Sequence, residues 1–419
     1  MTLPAGQPSE SFPSESQAGV QRPRVLVCTT WFPIPADNGI KQRLWALLGG
    51  LHERFDVDLV ALLDEPVAAA DVAAARARCD RVEVVIRRPF EPRSARAMLS
   101  FFHPMPRALV ASRTAAMQHT VERLVNERGY AAAIAAEVHV AQYLRSLRGL
   151  PRVLEDVELT GLRETNAGAN RRLRVRLRDE LTWWKVQRYV RSLLAEFDLC
   201  TTVSERERDA ARQLRPSARC VVVPNGVDTQ GAVRGVTPPT AATMIYAGSP
   251  TFALNREAVE WFASNVLPRV AARVDDCRLR VTGRYEPLVG ELPVDDHIEY
   301  TGHLPDVHQA VAGSWLSVVP LQRGGGTRLK VLESLALGTP VVSTSKGVEG
   351  LDLVAGEEVL VADTAEAFAA AVLEVFADPA RRDALAVAGR RAVEERYDWL
   401  PIARRFTDVV VEVATPRPR

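Results

Sequence analysis

The chain has 419 residues, with 53 Lys and Arg against 52 Asp and Glu, a formal charge of +1. That length suggests two or three domains with ample core to bury, and 47% hydrophobic with 25% charged residues excludes a mostly disordered or fibrous chain. The charge balance argues against a whole-protein nucleic-acid binder.

Residues 1–23 are rich in Pro, Ser, Gln and Gly and read as a disordered tail without the apolar stretch of a signal peptide. No later run approaches the roughly 18–20 apolar residues that span a bilayer. The five cysteines are scattered and never form a C-x-x-C pair, which fits neither a disulfide framework nor a zinc site and points to a reducing, cytoplasmic setting. From Arg24 the pattern becomes strand (RVLVCTTWF), loop (PIPADNG), a helix carrying Leu44, Leu47, Leu48 and Leu51, then a strand (VDLVALL). Thr114 to Glu127 reads as a helix; AAAIAAE, PRVLED, DLCTTVS and RCVVVP read as strands. After the breaker-rich TQGAVRGVTPPT the alternation restarts: MIYAGS, a helix opening at Asn255, CRLRVTG, HIEYTG, a short helix after Pro305, WLSVVPL, a helix from Thr327, PVVST, EVLVAD, and helices from Thr364 and Pro379. The expectation is an α/β protein of two Rossmann-like domains facing across a cleft, at 24–215 and 216–395, with a C-terminal crossover helix and tail at 396–419.

The densest chemical signal is PLQRGGGTRLKVLESLALGTPVVST, residues 320–344. Gly324, Gly325 and Gly326 lie between a strand end and a helix whose N-cap candidate is Thr327, an arrangement that lets backbone amides approach a phosphate. Arg328 and Lys330 then fall in the first helical turn, where each cation opposes the helix dipole by about 0.3–1 kcal/mol. A bound anion of two or more charges would reverse that penalty. Glu333 projects to the same face; the alternative is a solvated Lys330–Glu333 pair beside a flexible turn.

This segment resembles the signature of glycosyltransferase family 4, the retaining GT-B enzymes. Further similarities are the P-x-x-N-G loop, VVPNGVD, AGSPTFALNREAVEWF, YTGHLPDV and the terminal ERYDW, so the likeness runs from Arg24 to about residue 413. The resemblance implies a nucleoside-diphosphate sugar, UDP- or GDP-linked, held mainly by the second domain, a hydroxyl acceptor held by the first, and no cofactor. Apart from Asp56-Val57-Asp58 no cluster has metal-ligand spacing, so a metal-independent enzyme is expected. Carried over by position, Glu333 would accept hydrogen bonds from ribose hydroxyls. Arg328 and Lys330 would neutralise the diphosphate, with Gly325, Gly326, Thr327 and Gly248 around it, and Leu304 and Asp306 would contact the base. Asn38, Gly39 and Arg43 would form the facing diphosphate or acceptor loop, with His139 near the transferred sugar; catalytic weight falls on Arg328, Lys330 and His139. Two positions depart from the family pattern. The first carboxylate of Glu-x7-Glu is replaced by Gly325, and the second glycine of the N-terminal pair by Ile40.

Thr29 to Arg43 contains no histidine, which inverting GT-B enzymes commonly use there as general base, so retention is expected. Asp56-Val57-Asp58 matches D-x-D but introduces an apolar strand, and a structural role is the expectation. From Arg163 to Arg191 nine basic residues meet three acidic ones, a net of +6, with Trp183, Trp184 and Tyr189 interleaved. Such a helix can lie against an anionic inner membrane face; otherwise it is a solvated helix with core aromatics. A silent binding protein of the same fold is a further alternative, while a Rossmann oxidoreductase is disfavoured because TTWFPIPADNG lacks G-x-G-x-x-G.

Overall fold

The structure is a computed structural model and describes residues 22–88, 91, 98, 100–159, 173–231 and 238–415. Nearly all of the expected N-terminal tail, the start of the basic stretch and much of TQGAVRGVTPPT lie outside these residues.

Strands β1 (Arg24–Thr29), β2 (Asp56–Leu63), β3 (Arg81–Ile86), β4 (Ala132–Ala135), β5 (Arg152–Leu154), β6 (Leu199–Thr202) and β7 (Cys220–Val222) form one parallel sheet. Its order is β3-β2-β1-β4-β5-β6-β7. Strands β8 (Thr240–Tyr246), β9 (Arg278–Thr282), β10 (Ile298–Gly302), β11 (Ser314–Val319), β12 (Val341–Ser343) and β13 (Leu360–Val361) form a second parallel sheet, ordered β10-β9-β8-β11-β12-β13. The strand order reverses between β1 and β4 and again between β8 and β11, and the carboxyl ends of strands at such points are where open α/β sheets bind ligands.

Helices α1 (Gly39–Arg54), α2 (Ala69–Ala75), α3 (Arg107–Ser112), α4 (Ala115–Glu127), α5 (Ala141–Leu144), α6 (Leu173–Glu196) and α7 (Glu205–Leu214) accompany the first sheet. The second is accompanied by α8 (Ala253–Asn265), α9 (Leu267–Ala271), α10 (Val307–Ala312), α11 (Leu329–Ala336), α12 (Ala365–Ala377) and α13 (Pro379–Arg396). The last helix, α14 (Trp399–Ala414), crosses back. Its Ile402, Ala403, Phe406 and Val410 share one apolar cluster with Leu44, Leu47, Leu48 and Leu51 of α1, where each buried leucine contributes roughly 1.5–3 kcal/mol. Gly50 permits the close approach, since a Cβ there would stand 2.6 Å from the Ala403 carbonyl oxygen.

Two expectations shift and one holds. β7 joins the first sheet, so the chain leaves the first domain after Val222 rather than at 215. α8 begins two residues before Asn255, which places that side chain inside its first turn. Asp58 of the D-x-D is a buried strand residue that accepts from the Tyr130 hydroxyl at 2.6 Å and pairs with Arg128 at 3.1 Å, the structural role expected of it.

The chain crosses between the domains twice, and the crossings are laced together. The Val227 amide donates to the Tyr397 carbonyl at 2.8 Å and the Trp399 amide to the Val227 carbonyl at 3.1 Å, while the Thr229 hydroxyl bonds Asp398. Among the described residues, no helix is long and apolar enough to cross a membrane.

Candidate active site in the interdomain cleft

The site begins where β11 ends. Gly324 and Gly326 have φ of +110° and +79°, left-handed values that side chains resist. These turns delay the helix: the cap position of α11 is Arg328, at φ −87° and ψ 89°, with no side-chain cap. Thr327 is therefore not the N-cap expected from its position, and its Oγ1 is buried with no hydrogen-bond partner. The uncapped first turn of a helix presents amide donors to an anion. Arg328 folds back so that its Nη1 donates to the Gly325 carbonyl.

Lys330 is held by neutral groups. Its Nζ lies 3.1 Å from Asn255 Oδ1 and 4.0 Å from the centroid of the Tyr246 ring. The Tyr246 hydroxyl donates to the same Oδ1 at 2.8 Å, and Asn255 Nδ2 donates to the Ser249 carbonyl at 2.9 Å. Gly248 leaves the room required, since a Cβ there would be 2.7 Å from Nζ. Burial, then the nearby Arg328 charge, push Lys330 down to about 7, against a smaller opposing pull from Glu333. An arriving anion would restore the ammonium.

Glu333, one turn along α11, accepts from Gln42 Nε2 of the other domain at 3.4 Å. The N-termini of α1 and α11 meet beside it. Asn38 caps α1 by accepting from the Lys41 amide at 3.1 Å, and a Cβ on Gly39 would collide with Leu329. Ile40 is 44% exposed, so at this contact between the two helices only Gly39 has to be bare. Glu333, Gln42, Trp45, His308 and Trp399 line a cavity of about 730 Å³ between the domains. Asp306 caps α10, accepting from the His308 amide at 2.9 Å, with Leu304 half-buried in the loop before it.

The facing wall comes from the carboxyl ends of β1, β4 and β5. Glu137 accepts from the Thr29 hydroxyl at 3.3 Å and the Thr30 amide at 3.4 Å, and burial raises it to about 7. Burial, with Arg87, holds His139 below its ordinary value. Beyond β5, Asp156 takes a left-handed φ of +58°, and Glu158 is raised to about 8, first by Asp156 and then by burial and Glu207.

The structure thus gathers Gly248, Gly325, Gly326, Thr327, Arg328, Lys330 and Glu333 with Asn38 and Gly39, places His139 on the opposite wall, and sets Leu304 and Asp306 beside His308. Arg43 does not belong with them. It is 3% exposed, its Nε donates to Glu155 at 2.8 Å, and its other nitrogens bond Glu155, Asn225 and the carbonyls of Val223 and Pro224. It is a pin between α1, β5 and the hinge. Asn255, Tyr246, Gln42, Glu137, Asp156 and Glu158 were not singled out from the sequence. Only the strand-end positions of Glu137, of the Glu155–Glu158 run and of Tyr246 could have flagged any of them.

The profile described as Glycosyltransferase Family 4 matches residues 37–230, and the one described as Glycosyl transferases group 1 matches 241–378. The chain belongs to the group 1 glycosyltransferases. It is 26% identical over 245 residues to a GDP-mannose-dependent monoacylated alpha-(1-6)-phosphatidylinositol monomannoside mannosyltransferase of Corynebacterium glutamicum, covering 53% of this chain and 64% of that one. It is also 26% identical over 160 residues to a GDP-mannose-dependent alpha-(1-6)-phosphatidylinositol monomannoside mannosyltransferase of Mycolicibacterium smegmatis, covering 34% and 42%. The match therefore spans less than two thirds of either relative. Among solved structures it resembles the sucrose-phosphate synthase of Thermosynechococcus elongatus, with TM-score 0.68 and 18% identity over 94% of this chain and 99% of that one. It also resembles HepE of Anabaena, solved with UDP and glucose, with TM-score 0.64 and 13% identity over 93% and 100%. At these identities the likeness is one of fold, and the fold is GT-B.

Proposed function

We propose that this group 1 glycosyltransferase moves a sugar from a nucleoside-diphosphate donor to a hydroxyl acceptor with retention at the anomeric carbon. The observation that carries the reading is Lys330, a depressed ammonium cradled by Asn255, Tyr246 and Gly248 beside the uncapped start of α11. A diphosphate is the anion that such a cradle suits. In the proposed reaction the bond from the anomeric carbon to the phosphate oxygen breaks, the acceptor oxygen bonds from the same face, and the acceptor proton passes to the departing phosphate oxygen. Arg328, Lys330 and the α11 amides stabilise the charge that grows on that oxygen. Glu333 exchanges the Gln42 amide for ribose hydroxyls, and the first domain, with Asn38, Gly39 and His139, receives the acceptor. Closure of the cleft excludes water and limits hydrolysis of the donor.

The relatives make GDP-mannose the first donor to test, with UDP-glucose second. Thermal shifts with both, followed by transfer or slow donor hydrolysis, check the reading. No shift with either defeats it, and binding without turnover supports a silent binding protein. The reaction is proposed to be metal-independent, because fixed cations stand where a metal would neutralise the diphosphate; activity lost in EDTA and restored by magnesium contradicts this.

A lipid-linked acceptor at the cytoplasmic membrane face fits α6. Leu177, Leu181 and Trp184 follow at helical spacing and are 63%, 38% and 51% exposed, with Arg176, Arg178, Arg188 and Arg191 exposed around them. The Arg188 guanidinium lies 5.7 Å over the Trp184 ring. Trp183 and Tyr189 pack in the core instead. Co-sedimentation with anionic but not neutral vesicles, lost in Trp184→Ser, is the expected result, and indifference to lipid charge removes the idea.

A further inference from the structure

The loop Gly324–Gly326 carries no carboxylate, and eight residues before Glu333 the chain has Gly325. The structure supplies an acid there from the other domain. Beyond β5 the chain is fixed by the Val157 amide on the Thr201 carbonyl at 3.0 Å and by the Leu159 amide on Glu207 Oε2 at 2.6 Å. Glu155, two residues before the first anchor, turns inward to Arg43, while Glu158, between the anchors, reaches the cleft. A Cβ on Gly326 would stand 3.2 Å and 3.4 Å from Oε1 and Oε2 of Glu158. The carboxyl group therefore lies against the bare loop backbone, one residue from Thr327 and two from Arg328.

We propose that Glu158 binds hydroxyls of the sugar carried by the donor, supplying from the first domain a carboxyl group that the loop itself lacks. This rests on the nucleotide-sugar reading above. Whether ionised or protonated, a carboxyl group among other acids offers a diphosphate no positive charge, so the part of the donor that suits Glu158 is the neutral, hydroxyl-bearing part. A donor whose diphosphate sits on Lys330 and the α11 amides places its sugar next along the chain of atoms, toward the first domain. The groups facing Glu158 are Asp156 and Glu207 on its own wall, Arg43 behind it and Arg328 across the cleft. The acids leave it partly protonated near neutrality, able both to donate to and to accept from a hydroxyl. A bare Gly326 keeps that side of the sugar open, and a side chain there would displace the carboxyl group.

Calorimetric titration of GDP-mannose against GDP, and of UDP-glucose against UDP, separates contact with the sugar from contact with the nucleotide. For the pair that binds the wild-type protein, Glu158→Ala is expected to weaken the sugar nucleotide at least tenfold and to leave the diphosphate within about twofold. Glu158→Gln keeps the shape and one acceptor, so it should fall between; if the alanine variant does not fold, the glutamine variant must still weaken the sugar nucleotide selectively. Equal weakening of both ligands, or of neither, overturns the role of Glu158 and leaves the donor reading standing. Binding of none of the four ligands by the wild-type protein overturns the donor reading and this proposal with it.

Discussion

The two walls of the cleft carry opposite charge, and burial acts on each in the opposite sense. On the second domain it drives Lys330 down to about 7, and on the first it helps raise Glu158 to about 8 and Glu137 to about 7. Both walls hold groups near the midpoint of their titration, where a ligand's own charge decides the protonation state. The difference lies in their neighbours. Lys330 touches a carboxamide, an aromatic ring and a glycine, and the pull of Glu333 is too small to offset burial, so a bound anion can supply the negative charge it lacks, whereas the acids stand among other acids and suit neutral, hydroxyl-rich groups. A third charged cluster, Arg43 with Glu155, is closed by its own partners and serves the fold.

The largest expected effect tests that last distinction. Arg43→Ala leaves Glu155 buried without its cation, and breaking such a pair costs about 3–5 kcal/mol; urea unfolding should show the loss in the first domain. Unchanged stability would mean that Arg43 is not a pin. Next, Lys330→Ala and Arg328→Ala should each lower turnover at least tenfold, about 1.4 kcal/mol or more of transition-state stabilisation. Wild-type rates in both would erase the contrast between the walls.

Donor affinity sharpens the comparison through pH. Below about 7 the free enzyme already carries the Lys330 ammonium, and affinity is flat. Above it, binding must take up a proton, so affinity falls by about tenfold per pH unit until the bound-state value is passed. Titrations between pH 6 and pH 9 should show the slope in the wild-type protein and a clearly shallower one in Lys330→Ala, in which Glu158 and Glu137 still titrate. The smallest effect belongs to Tyr246→Phe, which keeps the ring under Lys330 and removes one hydrogen bond to Asn255, worth about 1 kcal/mol. Donor affinity should drop severalfold, and a loss as large as that of Lys330→Ala would mean that the hydroxyl does more than orient Asn255.

Much of the fold was legible because its signals are local. Apolar runs such as VDLVALL end at breakers, Thr114 and Thr364 cap their helices through their own side chains, and the Leu44 to Leu51 spacing marks the buried face of α1. The glycine loop was legible for the same reason. Thr327 shows the limit of a local rule, because two left-handed glycines carry the chain past it before the helix can start. Arg43 was misplaced because its nearness in sequence to Asn38 hides one helical turn, enough to swing the guanidinium from the cleft to the hinge. Glu158 had only its place after a strand, and Gln42 and Asn255 had no local mark. Their partners lie 168, 291 and 75 positions away, and only the docking of the two domains, or of α8 on α11, brings them together.

The laced crossings at Val227 and Trp399 bear on how those walls meet. Two separate tethers could let the domains slide, twist or part unevenly, but two segments bonded side by side act as one narrow hinge plate. Relative motion is then mainly a swing about that plate, and groups travel in proportion to their distance from it. Pin and plate share one edge of the cleft through Arg43 and Asn225. Stiffening that edge would thus slow the arrival of the far wall without touching any group that meets the donor.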